Sequence, residues 1–300
     1  MLRPSSLGAP LLPWKPDVLF IREAVELFRT RVRCYHQPMP EPTTQASSSQ
    51  TAFFYGAKPP VTALARFDRV VVEAEQVHDL YNLRAAGAEV FAYVSIGEAE
   101  GWRKSSRDLP SRLFLGSNQP WQSCIADLTH PDWGRYLLED RMPSLWIDGY
   151  RAFFLDTLDS YRIILKDSSA NQLQEAALVN LIKAIHKRFP GVRLILNRGF
   201  EILPQVAHLC VGIVAESLFQ GWNACTKAYV GVNESDRLWL TARLEEAKNR
   251  FDLPVTVVDY VCPKELALAQ ETARRITALG FSPWVANPGL DVLPQGMTRN

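Results

Sequence analysis

Eight short runs rich in Val, Ile, Phe and Tyr recur along most of the chain, each separated from the next by a segment with helical spacing. They are AFFYG (52–56), RVVVEAE (69–75), EVFAYVSIGE (89–98), RAFFLDT (151–157), VRLILNRG (192–199), LCVGIVAES (209–217), VTVVDYV (255–261) and FSPWVAN (281–287). Several are apolar on both faces, the pattern of strands covered by helices on either side. The clearest intervening helices are 171–189, 235–251 and 263–280, the last opening on proline and closing on glycine. Repeated strand–helix units predict a parallel sheet with right-handed crossovers. Eight units in roughly 240 residues match a closed barrel, which takes about 250. An open doubly wound sheet usually has fewer strands, and no G-x-G-x-x-G follows the first run. The predicted fold class is therefore α/β, a (β/α)₈ TIM barrel.

The barrel does not account for the whole chain of 300 residues. PDVLFIREAVELF, within 16–33, is interrupted by Asp17, Arg22, Glu23 and Glu26, so it reads as an amphipathic helix and not as a signal-peptide core. HQPMPEPTTQASSSQ (36–50) has linker composition. We expect an N-terminal helix and flexible linker over 1–50 and the barrel over 51–300. No apolar run reaches the ~20 residues that span a bilayer. A formal net charge of +1 argues against a nucleic-acid partner. Five cysteines include no C-x-x-C pair; a Cys124–Cys225 disulfide is open but unsupported, so redox compartment is not fixed.

In such barrels, chemistry gathers at the C-terminal ends of the strands. Those ends carry Tyr55; Glu73 and Glu75; Ser95 and Glu98; Asp156 and Asp159; Asn197 and Arg198; Glu216; Asp259 and Tyr260; and Asn287. Single acids in such places often cap helices, but acids ending five of eight strands exceed that need. Glu216, flanked by apolar residues in CVGIVAESLF, requires partners or a function.

Two carboxylates facing across a cleft suit glycoside hydrolysis. Tyr55, Tyr93, Tyr161, Trp222 and Tyr260 are candidate stacking partners for sugars, with ordinary packing the alternative for each. The five histidines form no H-x-H or H-E-x-x-H, so no metal site is expected. No G-x-S-x-G elbow is present for a serine nucleophile.

At YVSIGEAEGWR (93–103), DLTHPDWGRYLLEDRMPSLWIDGYRAFFLDTLDSY (127–161) and VAESLF (214–219) the chain resembles the endo-α-1,4-polygalactosaminidase group of glycoside hydrolases. The likeness runs across 52–290. It implies cleavage within an α-1,4-linked, partly de-N-acetylated galactosamine polysaccharide, without a cofactor. It also implies Asp156 as nucleophile and Glu216 as acid/base, the latter holding its proton through its apolar flanks and the nearby Asp156. Substrate contacts would come from Tyr55, Glu73, Tyr93, Ser95, Glu98, Asp159, Asn197, Arg198, Trp222, Asp259 and Tyr260. An acidic rim of Glu73, Glu75, Glu98, Asp159 and Asp259 would draw in a cationic polymer. The resemblance further implies a periplasmic or extracellular location and exopolysaccharide export machinery as a partner. The alternative from another class is a weakly active or non-hydrolytic barrel that binds polysaccharide during modification or export.

Overall fold

The computed structural model describes residues 50–76, 80–103 and 105–294. The helix expected at 16–33 and the linker at 36–50, apart from Gln50, lie outside the described residues. Eight strands form one sheet in chain order: β1 (Thr51–Phe54), β2 (Arg69–Val72), β3 (Glu89–Ser95), β4 (Ala152–Asp156), β5 (Arg193–Asn197), β6 (Gly212–Glu216), β7 (Val255–Tyr260) and β8 (Ser282–Ala286). Every neighbouring pair is parallel. Each strand falls inside or within one residue of the run that predicted it. Among the described residues the three longest helices are α1 (Ser168–Arg188), α2 (Glu234–Phe251) and α3 (Leu266–Ala278).

Aromatic contacts show the curvature. β1 and β4 are three places apart in the sheet, yet the rings of Phe53 and Phe154 meet edge-on at 5.5 Å. Phe53 also lies 6.4 Å from Trp284 of β8. These contacts require the sheet to roll until its first and last strands face one another. Tyr55 N–H donates to the Leu290 carbonyl (2.8 Å), tying the end of β1 to the loop after β8. The interior is thus packed side chains, as expected for a barrel of eight strands.

At the opposite end, Glu89 pairs with Arg69 (3.6 Å) and Arg193 across β2, β3 and β5. The Arg69 guanidinium also donates to the Val211 carbonyl (2.9 Å). A Cβ at Gly212 would lie 3.3 Å from that guanidinium, so the absent side chain leaves room for the arginine. Charges close the bottom of the barrel and leave chemistry to the other mouth.

Two small antiparallel pieces were not foreseen. One is a three-stranded sheet of Glu98–Glu100, Phe114–Asn118 and Ser123–Ala126, inserted after β3. The other is a hairpin of Gln220–Asn223 and Ala228–Gly231 after β6. Both build walls above the strand ends. Cys124 and Cys225, one on each piece, are free thiols, so no disulfide joins them.

Candidate active site

Asp156, Asn197 and Glu216 end three adjacent strands, β4, β5 and β6. The residue after each is left-handed: Thr157 at φ 63°, Arg198 at φ 58° and Ser217 at φ 63°. For residues with a Cβ, such a conformation costs roughly 1–3 kcal/mol and needs fixing by its surroundings. Thr157 Oγ1 bonds Ser95 Oγ (2.9 Å) and accepts from Gly97 N–H (2.9 Å). Arg198 donates to the Glu216 carbonyl (3.1 Å). Ser217 N–H donates to the Val258 carbonyl (2.9 Å). The repeated turn directs the three preceding side chains to one floor.

There, Asn197 Nδ2 donates one hydrogen to Asp156 Oδ1 (2.7 Å) and the other to Glu216 Oε1 (2.7 Å). The two facing oxygens are therefore no farther apart than twice that bond length. The Tyr260 hydroxyl donates to the remaining Glu216 oxygen. Burial, and then the Glu216 charge, push Asp156 up to about 7, opposed by Asn197, the Thr157 N–H and the Tyr93 hydroxyl. Because Asp156 faces a second carboxylate across Asn197, the proton held above the ordinary carboxylate range belongs to the pair. Tyr55, Tyr93 and Tyr260 are all raised well above the usual phenol range, first by burial and then by the carboxylates. They remain O–H donors at any working pH.

The pair lies in a cleft of about 770 Å³. Of the expected contact residues, Tyr55, Glu73, Tyr93, Glu98, Asp159, Asn197, Arg198, Trp222 and Tyr260 all line it. Two do not. Asp259 is 0% exposed and its carboxylate accepts from the backbone N–H groups of Leu218 (2.6 Å), Phe219 (2.8 Å) and Gln220 (2.9 Å). It clamps the loop that leaves Glu216 and is out of reach of substrate. Ser95 is spent on Thr157 and the Glu98 carbonyl (2.9 Å). Tyr161, a candidate stacking residue, is buried outside the cleft, beside Arg162 and Glu175.

The acidic rim is also arranged differently from expectation. Glu73 is buried against Arg103 (2.6 Å), which also pairs with Glu100 (2.6 Å). Glu75 pairs with Arg141 (3.0 Å). Glu98 is held by Asn118 (3.0 Å), Ser123 (2.5 Å) and Ser160 (2.5 Å), which fastens the inserted sheet to the loop after β4. Asp159 has no ion pair among the described residues; burial raises it while the Arg198 charge opposes. Asp291, from the loop after β8, joins it at the cleft. In total the lining carries seven carboxyl groups, Glu73, Glu98, Glu100, Asp156, Asp159, Glu216 and Asp291, against two guanidiniums, Arg103 and Arg198. A chain of almost no net charge thus keeps a strongly negative cleft.

Sequence reasoning missed Trp102 and Trp121, which line the cleft while remaining 59% and 58% exposed. Both lie on the insertion after β3. The one available signal was a tryptophan directly after the run GEAEG in GEAEGWR, too weak to read alone. Among the described residues no cluster of His, Cys, Asp and Glu is arranged to hold a metal ion.

A (β/α)₈ barrel with two carboxylates facing each other in a tryptophan-walled cleft defines a glycoside hydrolase. The chain belongs to glycoside-hydrolase family GH114, whose model matches residues 32–299. It is similar to the glycoside hydrolase domain of PelA from Pseudomonas aeruginosa, with 35% identity and a TM-score of 0.75, covering 82% of this chain and 97% of that one. It shares its fold with Ega3 of Aspergillus fumigatus, solved in complex with galactosamine, at 17% identity and a TM-score of 0.60, covering 85% and 98%. An uncharacterized protein of Methanocaldococcus jannaschii, MJ1477, is 23% identical over 226 residues, 69% of this chain. That match spans 64% of the relative's length, just under two thirds. No helix among the described residues is long and apolar enough to cross a membrane.

Proposed function

We propose that this protein is an endo-acting glycosidase that cleaves α-1,4-linked, partly de-N-acetylated N-acetylgalactosamine polysaccharide, such as Pel, with retention of configuration. The observation that carries the mechanism is the Asn197 bridge. Twice 2.7 Å fits the ~5–5.5 Å carboxyl separation of retaining enzymes and falls short of the ~6.5 Å at which inversion begins.

In the first step an Asp156 oxygen attacks the anomeric carbon while Glu216 gives its proton to the departing glycosidic oxygen. The bond to the leaving sugar breaks, and a glycosyl ester on Asp156 remains. In the second step Glu216 takes a proton from water, the resulting oxygen attacks the same carbon, and Asp156 is released. Asn197 donates to both carboxyl groups throughout and so holds their spacing. Tyr260 orients Glu216.

The substrate class is supported by charge. Galactosamine units carry ammonium groups, and a cleft with seven carboxyl groups against two guanidiniums attracts a cation. Similarity to the PelA hydrolase domain and the galactosamine bound by Ega3 point the same way. Acting on an exopolysaccharide places the enzyme in the periplasm or outside the cell, in contact with the export machinery. The test is incubation with partly deacetylated α-1,4-galactosaminoglycan, following product size and anomeric configuration by NMR. Mid-chain cleavage with α-configured first products is expected. First products in the β configuration would overturn retention, and an intact polymer would overturn the substrate.

A further inference from the structure

Beyond Trp222 the cleft opens into a second hollow of about 470 Å³ that no step of the mechanism uses. The two spaces share Arg198, Ser217 and Trp222 as a common wall, so a chain lying over the dyad can continue into the hollow without leaving the surface. We propose that this hollow holds further sugar units of the same polymer, with Trp239 as their stacking platform and Asp236 as the partner of an ammonium group. This proposal rests on the reading of the substrate as a galactosamine polysaccharide.

Trp239 projects from α2 and is 45% exposed, although its ring is fixed. Phe200 meets it edge-on at 5.9 Å and 86°. Trp222, on the shared wall, is pinned by Tyr229 at 5.0 Å. Two oriented indoles therefore border one hollow. Flat, rigid rings carrying exposed apolar area lose little conformational entropy when a ligand covers them. Asp236 stands at the first turn of α2, where Asn233 Nδ2 donates to one of its oxygens (2.7 Å). That bond fixes the carboxylate without neutralising it.

The placement also suits cleavage inside a chain. Trp102 and Trp121 rise from the insertion after β3, while Trp222 and Trp239 follow β6. In a ring of eight strands, β3 and β6 stand three apart, on nearly opposite sides of the mouth. Platforms on both sides of the dyad allow a polymer to be held on either side of the scissile bond.

The test is the chain-length dependence of kcat/KM, using α-1,4-galactosamine oligosaccharides of defined length from three to twelve units as probes. For the native enzyme, kcat/KM should climb with length until the hollow is filled. In Trp239→Ala the climb should stop earlier, leaving the longest oligomers at least about 5-fold below native, a loss typical of one stacking contact. Trp239→Tyr should recover most of it, which separates a lost platform from damaged folding. Asp236→Asn should weaken long deacetylated oligomers and leave long acetylated ones at native values. A native-like length profile in Trp239→Ala, or the same proportional loss at every length, would overturn the subsite while the substrate reading stands. If the native enzyme cleaves no galactosamine oligomer, the substrate reading fails and the subsite falls with it.

Discussion

Replacing Glu216 by Gln leaves a side chain that can accept from Tyr260 or from Asn197 through its single carbonyl oxygen, but has no proton to deliver. We expect a loss of roughly 10²–10⁴-fold on the polymer, the usual size of general acid catalysis. Asp156→Asn should be equally inactive, because no glycosyl ester forms. An aryl glycoside with a good leaving group separates them: its first step should recover in Glu216→Gln and stay silent in Asp156→Asn. If both variants cleave the polymer at native rates, the chemistry lies with another pair. The pH dependence follows from the same site. The dyad shares one proton, and the push on Asp156 sets its departure at about 7. The alkaline limb of kcat/KM should therefore fall near pH 7. The sign for stability is the reverse of an ordinary ion pair. A carboxyl whose folded value is raised stabilises fully below its unfolded value of ~3.9 and loses that contribution as pH rises through about 7. Asp156→Asn should then raise Tm relative to native at pH 8, by roughly 2–4 °C for each kcal/mol recovered, with the gain disappearing near pH 4. Thermal melts across that range check it. A constant offset at all pH values would remove Asp156 as the source.

At the level of elements, legibility depended on burial. The eight strands were readable because each is a compact apolar run between helical spacings, and Asp156 and Glu216 were readable because such runs stop at a carboxylate. Faces were not readable. β7 is buried at all six positions, so it shows no alternation from which to tell inward from outward. Asp259 and Tyr260 are neighbours on that strand and point oppositely: one clamps backbone amides, the other reaches Glu216. The inserted sheet was missed because its strands have only three to five residues of mixed composition, EAE, FLGSN and SCIA, and they pair with one another and not with the barrel. It nevertheless supports the floor through Gly97. A Cβ there would lie 2.1 Å from the Thr157 carbonyl oxygen, a separation no relaxation of a side chain can relieve. Gly97→Ala must push Thr157 away and with it the Asp156 that precedes it. We expect a destabilisation of about 1–3 kcal/mol, typical of overpacking, and a fall in kcat larger than any change in KM. Unaltered kcat in a folded Gly97→Ala protein would show that the Thr157 turn does not set Asp156.

The whole molecule divides its charge unevenly, and this asymmetry is invisible in a net value of +1. Positive groups are spent at the bottom of the barrel, on Glu89, and on outer helices, while the cleft keeps seven carboxyl groups against two guanidiniums. Of the five acidic rim members expected from the sequence, Glu73, Glu98 and Asp159 line the cleft, Glu73 paired with Arg103, whereas Glu75 and Asp259 are engaged away from it. What remains available is the dyad, Asp159 and Asp291. The barrel should carry this field by itself. A chain beginning at Ser48 keeps Gln50, whose N–H donates to Asp68 (2.9 Å) and whose carbonyl accepts from Arg69 (3.2 Å), and should melt within ~2 °C of the full chain. Binding by that chain should depend on salt in a way that identifies the ligand. Exposed charges are screened over ~8–10 Å at ordinary ionic strength, so KM for the deacetylated polymer should rise steeply between low and high salt. A fully N-acetylated polymer of equal length carries no ammonium groups and should show a nearly flat response. Asp159→Asn should reduce the slope for the deacetylated polymer without altering that of the acetylated one, because it removes a cleft charge that no ion pair neutralises. Equal slopes for the two polymers would mean that shape and stacking on the tryptophans, and not the negative cleft, select the substrate.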